Sequence, residues 1–148
     1  MERINSIIER LRDHSYQPNP ARRTYIAKKN SNKKRPLGIP STDDRLIQEV
    51  IRMILETIYE PTFSHYSHGF RPNRSCHTAL KQIQHNFIGS KWFIEGDICS
   101  FFDTIDHHIM IQVLRKQIDD ERFIRLIWKF LRAGYLEEWK FHKTYSGM

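Results

Sequence analysis

The sequence predicts a mostly helical α+β chain with one basic β-hairpin and one further short strand. Three observations predict it. Apolar residues recur at helical spacing, most fully at Leu46, Ile47, Val50, Ile51, Ile54, Leu55 and Ile58. Two strand-like runs, Thr24-Tyr25-Ile26-Ala27 and Arg35-Pro36-Leu37-Gly38-Ile39, flank the polar turn residues Asn30-Ser31-Asn32. An aromatic and β-branched run, Lys91-Trp92-Phe93-Ile94-Glu95-Gly96-Asp97-Ile98, reads as a strand. The chain has 148 residues, the length of one domain or part of a larger one. Its hydrophobic content of 39% is enough for a core and excludes a disordered tail. No apolar run approaches the ~20 residues that span a bilayer. No secretory pattern opens the sequence. Two cysteines, Cys76 and Cys99, make no disulfide framework and fit a reduced compartment.

The elements follow in order. Ile4, Ile7, Ile8 and Leu11 keep i, i+3, i+4, i+7 spacing, which predicts an amphipathic helix over 4–12. Pro18 and Pro20 end it. The hairpin spans 24–39, and Pro36, lacking a backbone donor, places its strand at an edge or ends it early. After Pro40, Ser41 and Asp44 can form a capping box for a core-facing helix over 42–60, closed by Pro61. A loop over 62–74 leads to a helix at 75–88, with Ala79, Leu80, Ile83 and Phe87 inward and Gly89 as stop. Beyond the 91–98 strand, one helix starts after Asp106 and another after Asp119. The latter carries Phe123, Ile124, Ile127, Phe130 and Leu131 on one face and ends at Gly134. The aromatic segment 135–148 reads as a hairpin arm. No repeat, low-complexity tract or interdomain linker is visible.

Charge is concentrated. The formal net charge is +7. Arg22, Arg23, Lys28, Lys29, Lys33, Lys34 and Arg35 lie between His14 and Thr42, a stretch without Asp or Glu. The other 17 basic residues match the 17 acidic ones, so the whole excess belongs to this stretch. It is either a phosphate-binding surface or a solvated basic loop. Lys28 and Arg35 could face one side across the two arms, Lys as a point charge and Arg as a bidentate fork for phosphate.

A second constellation is Gly96-Asp97-Ile98-Cys99-Ser100-Phe101-Phe102-Asp103-Thr104-Ile105-Asp106. A carboxylate ending an apolar strand is costly unless something binds it, and Mg²⁺ is one solution. Two metals clamping an in-line displacement would need a further carboxylate. Asp103 and Asp106 are available, but Asp106 also fits a helix cap and Asp103 a local backbone bond. His65, His68, Cys76 and His77 match no closed four-ligand zinc spacing. No Ser/His/Asp or Cys/His signature and no phosphate-cradling glycine loop is present.

Three ordered blocks carry a resemblance. They are Lys33-Lys34-Arg35-Pro36-Leu37-Gly38-Ile39-Pro40, His68-Gly69-Phe70-Arg71-Pro72-Asn73-Arg74-Ser75 and Phe93-Ile94-Glu95-Gly96-Asp97-Ile98-Cys99-Ser100-Phe101-Phe102-Asp103. With the tail Thr144-Tyr145-Ser146-Gly147, they resemble the N-terminal part of group II intron-encoded reverse transcriptases, or maturases, over nearly the whole chain. The resemblance implies an α+β fold: mostly helical reverse-transcriptase fingers with a basic β-hairpin and the first palm strand. It divides the chain into an N-terminal extension at 1–20, fingers at 21–92, and the incomplete start of the palm with following helices at 93–148.

The same resemblance implies site roles. Asp97 matches the first catalytic, metal-binding aspartate, joined by the carbonyl of Ile98 in holding Mg²⁺. Lys28 and Arg35 match residues that hold the incoming triphosphate. Phe102, with Phe101 as the competing choice, matches the aromatic that screens the sugar 2′ position. Arg22, Arg23, Lys29, Lys33, Lys34, Arg71 and Arg74 are the expected RNA contacts, and Arg71 and Arg74 have helix-start packing as their alternative. The implied partners are intron RNA, an RNA template with DNA primer, and dNTP, with no membrane. The implied place is a cytoplasmic, bacterial or organellar ribonucleoprotein. The Pro-Gln-Gly block and the Tyr-Ala-Asp-Asp turn of the family do not occur in these residues, so the chain alone is expected to be inactive. The alternative is a non-catalytic module that binds intron RNA and assists its folding. Self-association through exposed fingers or palm surface, as a homodimer, is a further reading.

Overall fold

The computed structural model describes residues 2–27, 32 and 34–147. Six α-helices, one 3-10 turn and a four-stranded mixed sheet make an α+β chain among the described residues. The elements are α1 (Glu2–Arg12), β1 (Ala21–Ala27), β2 (Lys34–Ile39), α2 (Thr42–Tyr59), the 3-10 turn Glu60–Thr62, α3 (Cys76–Asn86), α4 (Phe101–Thr104), α5 (His107–Leu114), α6 (Glu121–Leu131), β3 (Tyr135–Glu137) and β4 (Lys140–His142). Two compact units form, one of Met1–Ile51 with Ser100–Met148 and one of Arg52–Cys99.

The first unit holds the sheet, in the order β2-β1-β3-β4. β1 and β2 pair antiparallel from Arg22↔Ile39 to Ala27↔Lys34. Pro36 therefore sits on an edge strand, the place in a sheet where a residue without an N–H is tolerated. The tip residues Asn30 and Ser31 lie outside the described residues. Segment 135–142 is a complete hairpin rather than a single arm. β3 pairs antiparallel with β4 and parallel with β1. Its turn residues Glu138 and Trp139 both take positive φ, 47° and 62°, the sign that type I′ hairpin turns require.

Ile7, Tyr16 and Ile47 form a core cluster, with Leu11, Ile51, Leu126 and Phe130 packed on it. Residues 2–20 are thus built into this unit. Lys129 Nζ reinforces the docking by donating to the carbonyls of His14 and Tyr16, each at 2.8 Å. On α6, Ile124 and Ile127 are buried, as the spacing predicts. Its N-cap is Asp120 rather than Asp119, because the Asp120 carboxylate accepts from the N–H groups of Arg122 and Phe123. On α2 only Ile47 of the predicted apolar face is fully buried, and Leu46, Val50 and Ile54 are exposed. Burial contributes roughly 1.5–3 kcal/mol per large aliphatic side chain, so Ile47 anchors the helix and its exposed neighbours do not.

Ser146 and Gly147 fold back onto the α4–α5 junction. Asp106 and Ser146 form a bridge, Gly147 N–H donates to the Ile105 carbonyl at 2.9 Å, and buried His107 Nε2 lies 2.7 Å from the Gly147 carbonyl. Gly147 has φ 73°, and a Cβ there would stand 2.7 Å from the Asp103 carbonyl oxygen, so only glycine fits.

The second unit differs in kind: no residue between Arg52 and Cys99 is fully buried. Polar contacts order it. Ser75 caps α3 in a reciprocal box with Thr78. Leu80, Ile83 and Phe87, expected inward on α3, are exposed. The expected palm strand at 91–98 is not formed. Its residues lack regular structure and are exposed, Trp92 at 89% and Ile94 at 94%. Strand propensity alone does not make a strand, because the backbone must find a ladder partner, and 91–98 pairs with none of the four strands. Cys76 and Cys99 are both exposed and are not disulfide-bonded.

Candidate nucleotide and nucleic-acid site

The first unit contains a cavity of about 690 Å³. The β2 edge contributes Arg35, Pro36, Leu37 and Gly38, and Phe102 and Asp103 of α4 contribute a second wall. Asp44 and Gln48 of α2, Phe130 of α6 and Thr144 complete much of the lining. A concave site of this size, apolar with a few placed polar groups, has the character of a small-molecule pocket. The structure thus brings Arg35 and Phe102 to one cavity. Phe102 lines it, and Phe101 packs edge-on against the Phe102 ring with centroids 5.5 Å apart.

Asp44 is the buried acid of that lining, and the sequence showed only its capping role. Its carboxylate accepts from Tyr16 Oη at 2.8 Å, from Asn19 N–H at 3.2 Å, from Asn19 Nδ2 at 3.3 Å and from Ser41 Oγ. Ser41 Oγ in turn accepts the Asp44 N–H at 3.2 Å, which caps α2. Burial, with the Asp44 carboxylate beside it, pushes the Tyr16 hydroxyl pKa up. Among the described residues Arg35 is the one Lys or Arg of the lining, so they offer the cavity a single fork for a phosphate. Asp44, Tyr16 and Gln48 escape notice in the sequence because no spacing signal connects them to the hairpin.

The basic residues fall into three groups. Arg22, Lys34 and Arg35 are exposed on the strands of the hairpin. Lys28, Lys29 and Lys33 lie outside the described residues. Arg23 lies against the Tyr135 ring, its guanidinium carbon 3.5 Å from the centroid.

Arg71 is occupied within its own loop. Nε and Nη2 bond the Glu60 carboxylate at 2.8–3.2 Å, and Nη1 donates to the Ser64 and Ser67 carbonyls. That guanidinium holds the Glu60 carboxyl below its ordinary range. Arg74 reaches the His65 carbonyl at 3.3 Å, a weaker tie. His68 bridges Thr78 Oγ1 at 2.9 Å and Gln82 Oε1 at 2.5 Å, which makes it a strut between loop and helix.

Asp97 and Ile98 lie on the irregular segment of the second unit, both exposed. Asp106, a possible further carboxylate, is the α5 N-cap and accepts from His108 N–H at 2.7 Å and Ile109 N–H at 3.0 Å. Those bonds, Ile109's first, hold its carboxyl below the ordinary range. Among the described residues, no group of three or more His, Cys, Asp or Glu is placed to hold a metal ion. One carboxylate and one carbonyl do not complete a two-metal centre, so the residues present do not fit the whole group. Among the described residues no helix is long and apolar enough to cross a membrane.

Comparison with known proteins agrees with the motif blocks. The chain is 60% identical over 146 residues to the group II intron-encoded protein LtrA of Lactococcus lactis subsp. cremoris, covering 99% of this chain and 24% of that protein. It is 51% identical over 135 residues to an uncharacterized 91 kDa protein in the cob intron of Schizosaccharomyces pombe, covering 91% of this chain and 17% of that one. It is 40% identical over 93 residues to nuclear intron maturase 1, mitochondrial, of Arabidopsis thaliana, covering 63% of this chain and 13% of that one. The chain therefore spans about a quarter of LtrA's length and less of the other two. Residues 26–148 match the reverse transcriptase (RNA-dependent DNA polymerase) family, and the chain belongs to that family.

Proposed function

We propose that this chain is the RNA-gripping, nucleotide-positioning part of an RNA-directed DNA polymerase and intron maturase. The observation that carries the reading is the hairpin. Arg22, Lys34 and Arg35 project exposed from its strands, and Arg35 shares a cavity with Phe102. Exposed cations on a hairpin neutralise phosphates, and a cavity lined by both a guanidinium and a planar ring is suited to a nucleotide's phosphate and sugar. In this reading Arg35, with Lys28, holds the triphosphate and Phe102 screens the sugar. Asp97 and the Ile98 carbonyl supply part of the Mg²⁺ site of the whole polymerase. Intron RNA lies on the basic arm. Arg71 leaves the set of RNA contacts and becomes a positioning residue for its loop, since its donors are spent there.

RNA binding as a function of salt tests the reading. Neutralising Lys28, Lys29, Lys33, Lys34 and Arg35 together should weaken binding and flatten the salt slope, by roughly 0.7 for each single-strand phosphate no longer neutralised. An unchanged slope would place the RNA-binding surface elsewhere.

A further inference from the structure

His107 is a buried histidine that the nucleotide reading leaves unused. It opens α5 and is 2% exposed. Its Nε2 lies 2.7 Å from the Gly147 carbonyl, and a carbonyl only accepts, so Nε2 carries the proton. From α6 the Trp128 ring meets the imidazole edge-to-face, centroids 6.4 Å apart, which limits its tilt. What the imidazole supports is a strap, Thr144–Gly147. At one end Thr144 Oγ1 donates to the Leu131 carbonyl of α6 at 2.7 Å. At the other, Ser146 bridges Asp106, and Gly147 donates to Ile105 while accepting from His107.

Thr144 and Gly147 both line the cavity that Arg35 and Phe102 share. Gly147 also backs α4. A Cβ at position 147 would stand 2.7 Å from the Asp103 carbonyl oxygen, so the strap packs directly on the backbone next to Phe102. α4 has only four residues, and its N-cap Ser100 is left-handed at φ 50°. One helical turn is too short to hold its own place, so α4 takes its position from what packs on it. We propose that His107 is a positioning residue for sugar selectivity. Through the Gly147 carbonyl it holds the strap against α4, fixes where Phe102 stands in the cavity, and so sets how strictly the site refuses a 2′-hydroxyl. The proposal rests on the nucleotide reading above and deepens it, since His107 acts from outside the cavity lining.

Calorimetric titration of the intact chain with dATP and with ATP tests it. The unaltered chain should prefer dATP. His107→Leu leaves the Gly147 carbonyl without its donor and should cut the ratio of the two affinities about tenfold. His107→Gln brings an amide N–H near the same point and should keep the ratio, a rescue that a merely structural role would not produce. Phe102→Ala should remove the preference, and His107→Leu added to it should change the ratio no further, because both act through one ring. A melting curve checks that each variant folds. Where His107→Leu does not fold, Gly147→Ala, whose Cβ would drive the strap off Asp103, carries the same expectation. A ratio unchanged by His107→Leu but lost in Phe102→Ala would overturn the positioning role and leave the nucleotide site standing. An unaltered chain that binds neither nucleotide, or both alike, would overturn it together with the reading of Phe102.

Discussion

Asp44 shows how a single buried carboxylate keeps its hydrogen bonds. Four donors from Tyr16, Asn19 and Ser41 replace its hydration, and they tie the segment after α1 to the start of α2. Removing one donor leaves a buried oxygen short of a partner. Tyr16→Phe should therefore destabilise the first unit by ~1–3 kcal/mol at neutral pH, read by denaturant unfolding. The same pair sets an alkaline limit. The Tyr16 hydroxyl has its pKa raised by burial and by Asp44, so the folded chain holds that proton more tightly than the unfolded one. This contribution is complete below the ordinary tyrosine value of about 10 and is lost as pH rises beyond it. Tyr25, raised by its bond to Glu137, acts in the same direction. Melting temperature should fall above about pH 10, and Tyr16→Phe should remove part of that fall. An identical alkaline profile in the variant would show that Tyr16 is not the group titrating. Only the Ser41–Asp44 half of this network is legible in the sequence, because capping has a fixed three-residue spacing. Tyr16 and Asn19 lie 28 and 25 residues from Asp44, and no local rule connects them.

Among elements, the loop between the 3-10 turn and α3 is organised by one side chain. Arg71 gathers the Glu60 carboxylate and two loop carbonyls, and stands 5.4 Å from the Phe63 ring centroid. Lysine carries the charge but lacks the fork, so Arg71→Lys should lower hydrogen-exchange protection across 60–74 at neutral pH. Glu60 is held below its ordinary pKa first by its bond to Arg71, so its contribution is present above the usual glutamate value and is lost as pH falls through the depressed one. Protection factors of the parent and Arg71→Lys should converge in acid. Equal protection at neutral pH would remove Arg71 from this role. The elements also show what patterning can reach. α1, α2, the basic hairpin and α6 are legible because their period, caps and turn residues act locally. The β3–β4 hairpin is not, since Glu138-Trp139 carries none of the Asn-Gly chemistry that marks such turns. The 91–98 segment misleads for the opposite reason. Its composition favours a strand, yet pairing is a property of two segments and one cannot supply it.

For the whole molecule, the residues proposed to bind RNA and those proposed to hold the metal separate along the chain. The charge excess, Arg35 and Phe102 belong to the first unit, and Asp97 and Ile98 belong to the second. Binding a polyanion needs only the exposed cations of the hairpin. Joining a primer hydroxyl to a nucleotide needs metal ions fixed by several oxygen ligands, which neutralise charge on attacking and leaving oxygens at once. Asp97 brings one carboxylate, and no group of three candidate ligands stands among the described residues. The purified chain should therefore bind RNA but show no primer extension with template, dNTPs and Mg²⁺, and robust extension would refute this division of labour. In a longer protein containing this sequence, Asp97→Asn should abolish extension while RNA affinity and its salt slope stay as they were. The two readouts distinguish the parent-enzyme reading from that of a binding module. A module that only binds RNA has no use for a carboxylate at position 97, so extension that survived its loss would move the chemistry elsewhere in the protein and leave this chain with the RNA alone.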